Sequence, residues 1–253
     1  MERQGEGMAG RAVALVTGST SGIGAAIAQR LVAEGLFVIL HGRGADEAGA
    51  ALAADLGQAA YVRADLSDEA GRVRLVEAVL AIAGRLDVLV NNAGISGLIP
   101  HGDLAAARPE IWRVQYEVNV IAPFHLVTLA EPHLRASARR RGPACVINIS
   151  SHAGVRPKGG SIPYASSKAA LNHVTRLLAR TLAPEIRVNA VAPGLVETPL
   201  TADWTEARAL WQTQAPMRRA ATPEDIAQAV MLLIRADYIT GEILLSDGGL
   251  NLT

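Results

Sequence analysis

Cysteine is nearly absent from this chain of 253 residues: Cys145 stands alone, so no disulfide can form within the chain, and a reducing compartment suits it. It lies inside the apolar run Ala144-Cys145-Val146-Ile147-Asn148-Ile149, where a small buried side chain is expected. An excess of charge is missing too. The 24 Lys and Arg balance 24 Asp and Glu, which leaves no overall field to draw in nucleic acid or an anionic membrane. No apolar run approaches the roughly 18 residues of a membrane span, and Met1 to Gly10 lacks the apolar middle of a signal peptide. The six histidines show no metal-ligand spacing, and no fixed-period repeat is present. These absences leave a soluble, cytoplasmic protein with no metal, whose partner is a small molecule met at a local site.

Half of the residues are hydrophobic, enough for a sizeable core, and their even spread favours one domain over two. Residues 1–9 read as a loose, polar tail ahead of a domain covering 10–253. Strand-length apolar runs occur at 12–16, 37–41, 59–63, 88–90, 144–149, 187–192 and 243–246. Helical patterns alternate with them at about 25–34, 68–83, 111–138, 163–182 and 223–234. Ser67 is placed to cap the second of these, Pro123 and Pro132 to bend the third, and Thr222-Pro223-Glu224-Asp225 opens the last as a capping box. Such alternation predicts an α/β fold: a single doubly wound Rossmann-type domain with a parallel sheet of about seven strands.

In folds of this kind ligands sit at the carboxyl ends of the strands, and polar groups gather there in this chain. After the first strand comes Thr17-Gly18-Ser19-Thr20-Ser21-Gly22-Ile23-Gly24, a turn that lets a pyrophosphate approach a helix amino terminus. After the second, Gly42-Arg43 stands where an acid would bind an adenosine ribose; Gly42 leaves space and Arg43 suits a 2′-phosphate. Asp65-Leu66 follows the third strand and Asn91-Asn92-Ala93-Gly94 the fourth. Ser151 follows the fifth. Tyr164 and Lys168, four residues apart, share one helix face, where an ammonium would move the phenol pKa down and prepare it for proton transfer. Pro193-Gly194 closes the sixth strand, and 195–221, with Trp204 and Trp211, is long for a connection and is read as a mobile substrate lid.

The ordered set Thr17-Gly18-x-x-x-Gly22-Ile23-Gly24, Asp65, Asn91-Asn92-Ala93-Gly94, Asn119, Ser151, Tyr164-x-x-x-Lys168 and Pro193-Gly194 resembles the short-chain dehydrogenase/reductase family over nearly the whole chain. That resemblance implies hydride transfer between a nicotinamide cofactor and a carbonyl/alcohol pair. Ser151 would orient the substrate oxygen, Tyr164 act as acid/base, Lys168 hold the nicotinamide ribose, and Asn119 position a relay water. Gly18, Ser19, Ile23 and Gly24 would contact phosphates and ribose, Asp65 and Leu66 the adenine, and Asn91, Ala93 and Gly94 the adjoining ribose. Pro193, Gly194 and Thr198 would frame the carboxamide. Ser21 replaces the basic residue that often precedes Gly22 in NADPH-using members, so NADP rests on Arg43 and NAD stays open. An NAD-dependent alcohol dehydrogenase and a non-catalytic nucleotide sensor are the rival readings. The resemblance also implies a homotetramer, paired through the long helices near 111–138 and 163–182 and the last strands. Arg139-Arg140-Arg141 would dock an acidic carrier protein or simply cap a helix end. His152 lines the substrate pocket or points away from it.

Overall fold

A computed structural model describes residues 10–44 and 46–253; the tail assigned to 1–9 lies outside them. Seven strands form one parallel sheet: β1 (Val13–Val16), β2 (Phe37–Gly42), β3 (Ala59–Arg63), β4 (Val88–Asn91), β5 (Ala144–Ile149), β6 (Ile186–Pro193) and β7 (Ile243–Ser246). Their spatial order is β3-β2-β1-β4-β5-β6-β7. Helices α1 (Gly22–Ala33), α2 (Asp46–Leu56), α3 (Glu69–Ala83), α5 (Ala122–Arg141), α6 (Ile162–Leu182) and α8 (Pro223–Arg235) cover the sheet, with α4 (Pro109–Tyr116) and α7 (Thr205–Gln214) beside the carboxyl ends. No helix among the described residues is long and apolar enough to cross a membrane.

The strands read as continuous apolar runs because both faces are covered. Their side chains alternate between two cores: Ala14 and Val16 pack with Ile27 and Leu31 of α1 and Val230 of α8, whereas Val13 and Leu15 pack with Leu75 of α3 and Leu126 of α5. Chain order reverses between β1 and β4, which opens a crevice beyond their carboxyl ends.

Local chemistry moved several expected boundaries. The cap of α3 is Asp68, not Ser67: Asp68 accepts from Ala70 N and Gly71 N, while Ser67 Oγ is drawn back to Asp65 Oδ1 at 2.7 Å. Helix α1 starts at Gly22, three residues before Ala25. The stretch expected as one helix over 111–138 runs from Pro109 to Arg141, and Pro132 does not end it. Its irregularity is a π segment, Glu117–Ile121, which contains Asn119; Pro123 sits harmlessly in the first turn of α5. Helix α2, whose alanine-rich sequence carries little amphipathic pattern, went without a prediction. Thr222 and Asp225 do form the capping box of α8.

Candidate active site

The glycine turn after β1 is held from below by side chains. Thr17 Oγ1 accepts from Asn92 N and Ala93 N, both at 3.0 Å. Asn92 Nδ2 donates to the carbonyls of Thr17 (2.8 Å) and Gly18 (2.9 Å). Buried His41 completes the cradle: Gly18 N donates to its Nδ1 at 3.1 Å, and its Nε2 lies 3.1 Å from Ala64 O. Accepting at Nδ1 fixes the proton on Nε2, and burial pulls the imidazole pKa down so that this neutral form persists. None of these three supports was predicted. Thr17 and Asn92 lay inside quoted motifs, but nothing in the sequence marked His41.

Two glycines of the turn have steric reasons. A Cβ on Gly24 would stand 2.2 Å from Gly18 O, and one on Gly18, whose φ is 63°, would stand 2.9 Å from Ala93 Cα. Ser21 caps α1 without a side-chain hydrogen bond, so its side chain leaves the first amides of the helix available to an anion. A backbone this close and a helix start this bare fit the pyrophosphate of a dinucleotide. Arg43 is exposed at the end of β2, near enough to Asp65 to help lower its carboxyl pKa, after the larger effect of the Ser67 hydrogen bonds. Gly42 does not leave open space: a Cβ there would meet Thr20 Cγ2 at 2.9 Å and Tyr61 Oη at 3.0 Å. The side chains of two more residues named for the cofactor are engaged within the protein. Asn91 Nδ2 donates to Asn148 Oδ1 at 2.9 Å, while Ser19 Oγ accepts from His41 N and Ser19 N donates to His41 O, both at 2.9 Å.

Beyond β5 the structure brings the Ser, Tyr and Lys together. A cavity of about 410 Å³ is lined by Ser151, Tyr164 and Lys168, together with Gly94, Pro193, Gly194 and Thr198. Ser151 caps a short 3-10 turn, His152–Gly154, its Oγ accepting from Ala153 N at 3.1 Å. That turn is stitched to α6: Ser150 Oγ bonds Asn172 Oδ1, and Asn172 Nδ2 donates to Gly154 O at 3.1 Å. Lys168 Nζ is buried, donates to Ile149 O at 2.8 Å and stands 5.8 Å from the centre of the Tyr164 ring. Desolvation lowers its pKa to about 8.

The phenol departs from expectation. Burial pushes the Tyr164 pKa up, and a hydrogen bond with Ser151 only partly opposes the rise. The lysine lies against the ring and the Ile149 carbonyl, so its pull on the phenolate does not win over desolvation. The phenol thus holds its proton more firmly than a free tyrosine does, next to Ser151 and at the cavity. Asn119 is fully buried; it accepts from Ile95 N and donates to Ile95 O, both at 2.9 Å, and to Ser167 Oγ at 3.0 Å. A Cβ on Gly94 would come within 3.2 Å of Asn119 Oδ1 and 3.4 Å of Lys168 Nζ, which puts Gly94 directly over both.

The stretch 195–221 is more ordered than its loose pattern suggested. It holds a 3-10 turn (Pro199–Thr201) and α7, and Val196 bridges to Ala221 at its base. Trp204 and Trp211 both line the cavity, as does His152, which is buried rather than turned away. Arg139, Arg140 and Arg141 end α5, two residues before β5 begins. They therefore lie at the opposite edge of the sheet from the cavity and are in place to offset the helix dipole.

Comparison with known proteins agrees with this geometry. A family model described as enoyl-(acyl carrier protein) reductase matches residues 18–251. A Streptomyces violaceoruber protein named for ketoacyl reduction in the granaticin polyketide synthase is 52% identical over 95% of this chain and 96% of its own. The structure of RhlG from Pseudomonas aeruginosa, an active-site complex with NADP, superposes with a TM-score of 0.87 at 38% identity, covering 95% of this chain and 96% of that one. A 3-ketoacyl-(acyl-carrier-protein) reductase from Brucella melitensis, complexed with NADH, gives 0.86 at 34% identity, covering 94% and 97%. With a dinucleotide cradle at the β1 turn and a Ser, Tyr and Lys at one cavity, the chain belongs to the short-chain dehydrogenase/reductase family and is an NAD(P)-dependent oxidoreductase acting on a carbonyl/alcohol pair.

Proposed function

We propose that the chain is an NADPH-dependent ketoreductase in which Tyr164 gives the proton, Ser151 orients and polarises the substrate oxygen, and Lys168 holds the nicotinamide ribose. The observation that carries this reading is the convergence of Ser151, Lys168 and the half-buried Tyr164 on one cavity, with Lys168 Nζ 5.8 Å from the centre of the phenol ring. A carbonyl oxygen between the two hydroxyls takes the proton as negative charge develops on it, while Ser151 steadies that charge. The bound cofactor supplies the hydride. Lys168 then offsets the charge left on Tyr164. Asn119 feeds the proton relay through its backbone, because its amide is occupied by Ile95 and Ser167 and the π segment loosens the hydrogen-bond ladder there. The same constellation argues against a sensor without turnover.

NADPH is preferred because Arg43 stands exposed where the second strand ends. Relatives captured with NADP and with NADH keep an NAD-dependent dehydrogenase as the second reading. Reduction of a ketone panel, followed at the nicotinamide absorbance with each cofactor, tests both. Arg43→Asp should weaken NADPH binding at least tenfold and reverse the preference; an unchanged ratio of the two affinities would sink the NADPH assignment.

In this reading the segment 195–221 closes over the site, and Trp204 and Trp211 favour bulky ketones. Unchanged protease sensitivity of the segment with and without NADPH would remove the lid. The protein works in the cytoplasm as a homotetramer. Support for assembly comes from apolar side chains exposed on α4 to α6, Val114, Phe124 and Leu177, and beside the last strand, Leu232 and Leu252. A monomer mass by light scattering at micromolar concentration would end that proposal.

A further inference from the structure

Proton transfer and hydride transfer leave one wall of the cavity without a role. His152 follows Ser151, lines the cavity and is only 5% exposed. Its Nε2 faces Asp247 Oδ2 at 3.5 Å, close enough to feel the charge but without a hydrogen-bond partner among the described residues. Asp247 cannot swing closer, because Gly249 N (2.9 Å) and Asn251 N (2.8 Å) hold its two oxygens. On another side the Trp211 ring stands edge-on to the imidazole, 6.1 Å away at 77°, and donates from Nε1 to Asp247 O at 3.3 Å. The imidazole is thus held in place by two elements far apart in sequence.

The carboxylate decides which nitrogen carries the proton. A proton on Nε2 points at Asp247, whereas a lone pair there would be repelled by it. Burial keeps the ring neutral against the opposing pull of Asp247, with Lys158 and Arg156 adding to the lowering of its pKa. Nδ1 is then an acceptor, and none of the described residues donates to it. Only Nε2 is sealed from solvent, so Nδ1 is the nitrogen that a ligand O–H can reach, and such a group would supply the donor that the protein does not. Around it the cavity is apolar, with Trp204, Leu210 and Leu250 to take a hydrocarbon body.

The geometry points to His152 Nδ1 as a subsite that accepts a hydrogen bond from a hydroxyl group on the substrate, so that the chain selects bulky ketones carrying a second, hydroxylated position. This rests on the ketoreductase reading above. A site built to bond a hydroxyl discriminates strongly against analogues that lack it, which makes the claim measurable. The probes are 1-tetralones with one ring hydroxyl at successive positions, the matching methyl ethers, and the unsubstituted ketone.

With the parent protein, at least one hydroxylated ketone should exceed its methyl ether at least tenfold in kcat/KM. His152→Phe should bring that ratio to within twofold, and His152→Gln, which keeps an acceptor, should retain part of it. Turnover of the ketones with no hydroxyl preference at any position overturns the subsite alone, and needs no variant to be folded. A preference that survives intact in folded His152→Phe overturns the role of His152. Reduction of none of the ketones defeats the ketoreductase reading, and the subsite with it.

Discussion

The floor of the cavity and the segment above it border the same space but are held by different kinds of contact. On the floor, Lys168 Nζ bonds Ile149 O, Ser150 is tied to Asn172, and Asn119 takes both backbone groups of Ile95; each of these side chains is buried. Above it, α7 has no buried residue, and its link inward is Trp211, reaching Asp247 O and lying against Gly194, where a Cβ would come within 3.0 Å of the indole. Proton transfer needs reacting groups fixed to a fraction of an ångström, and buried hydrogen bonds to backbone supply that. Admission and choice of substrate need a part that opens, which few buried contacts allow. With no buried residue, α7 is held more loosely than the floor beneath it.

The strongest way to sharpen this comparison is to remove chemistry without removing structure. Tyr164→Phe should lower kcat at least a thousandfold while NADPH affinity, read by fluorescence titration, moves less than threefold. Turnover within tenfold of the parent would mean that Tyr164 is not the acid. Next in size is Asn119→Ala, which leaves Ile95 N, Ile95 O and Ser167 Oγ each short of a partner. Urea unfolding should show a loss of at least about 3 kcal/mol, given about 1–3 kcal/mol for each of the three buried groups left unsatisfied. A loss under about 1 kcal/mol would mean that the floor is less rigid than its hydrogen bonds imply.

The segment above should respond in the opposite sense. Ala209→Gly, on the exposed face of α7, weakens that helix by about 1 kcal/mol. Limited proteolysis within residues 205–214 should then speed up about fivefold while the global unfolding midpoint barely moves. A matched fall in the midpoint would show that α7 unfolds only with the core, and the contrast would collapse.

The smallest effect comes from pH. His41 has a lowered pKa in the folded chain, so between that value and the unfolded value near 6.5 the unfolded state binds more protons. Stability is complete above about 6.5 and is lost as pH falls toward the folded value, because protonated Nδ1 can no longer accept from Gly18 N. Cofactor affinity should fall in the same window. The urea midpoint measured from about pH 7.5 to about pH 5.5 should decline, and His41→Asn should flatten part of the decline; an identical slope in both proteins would clear His41 of the effect.

Much of this was legible in the sequence. Apolar runs alternating with helical patterns gave the layered parallel sheet, because a strand buried on both faces must be apolar throughout. The glycine turn, Asn119, Ser151 and the Tyr164/Lys168 pair were visible as spaced motifs, since their chemistry fixes residue type and interval. What stayed hidden depends on direction and competition. Ser67 and Asp68 are both able to cap α3, and only the pull of Asp65 on Ser67 decided between them. The Asn91 amide turned inward because alternation along β4 and the neighbouring Asn148 claimed it.

The sequence by itself determined the fold and marked the glycine turn, Ser151, Tyr164 and Lys168 as candidates, because local spacing and burial pattern suffice for that. Only the tertiary structure decided that the Tyr164 pKa moves up and not down, because desolvation depends on everything packed around the phenol. It alone set His152 between Asp247 and Trp211, residues 95 and 59 positions further along the chain, joined only where the ends of β5 and β7 and helix α7 meet. Contacts of that separation leave no periodic trace in a sequence, so a site built from them appears only when the chain is folded.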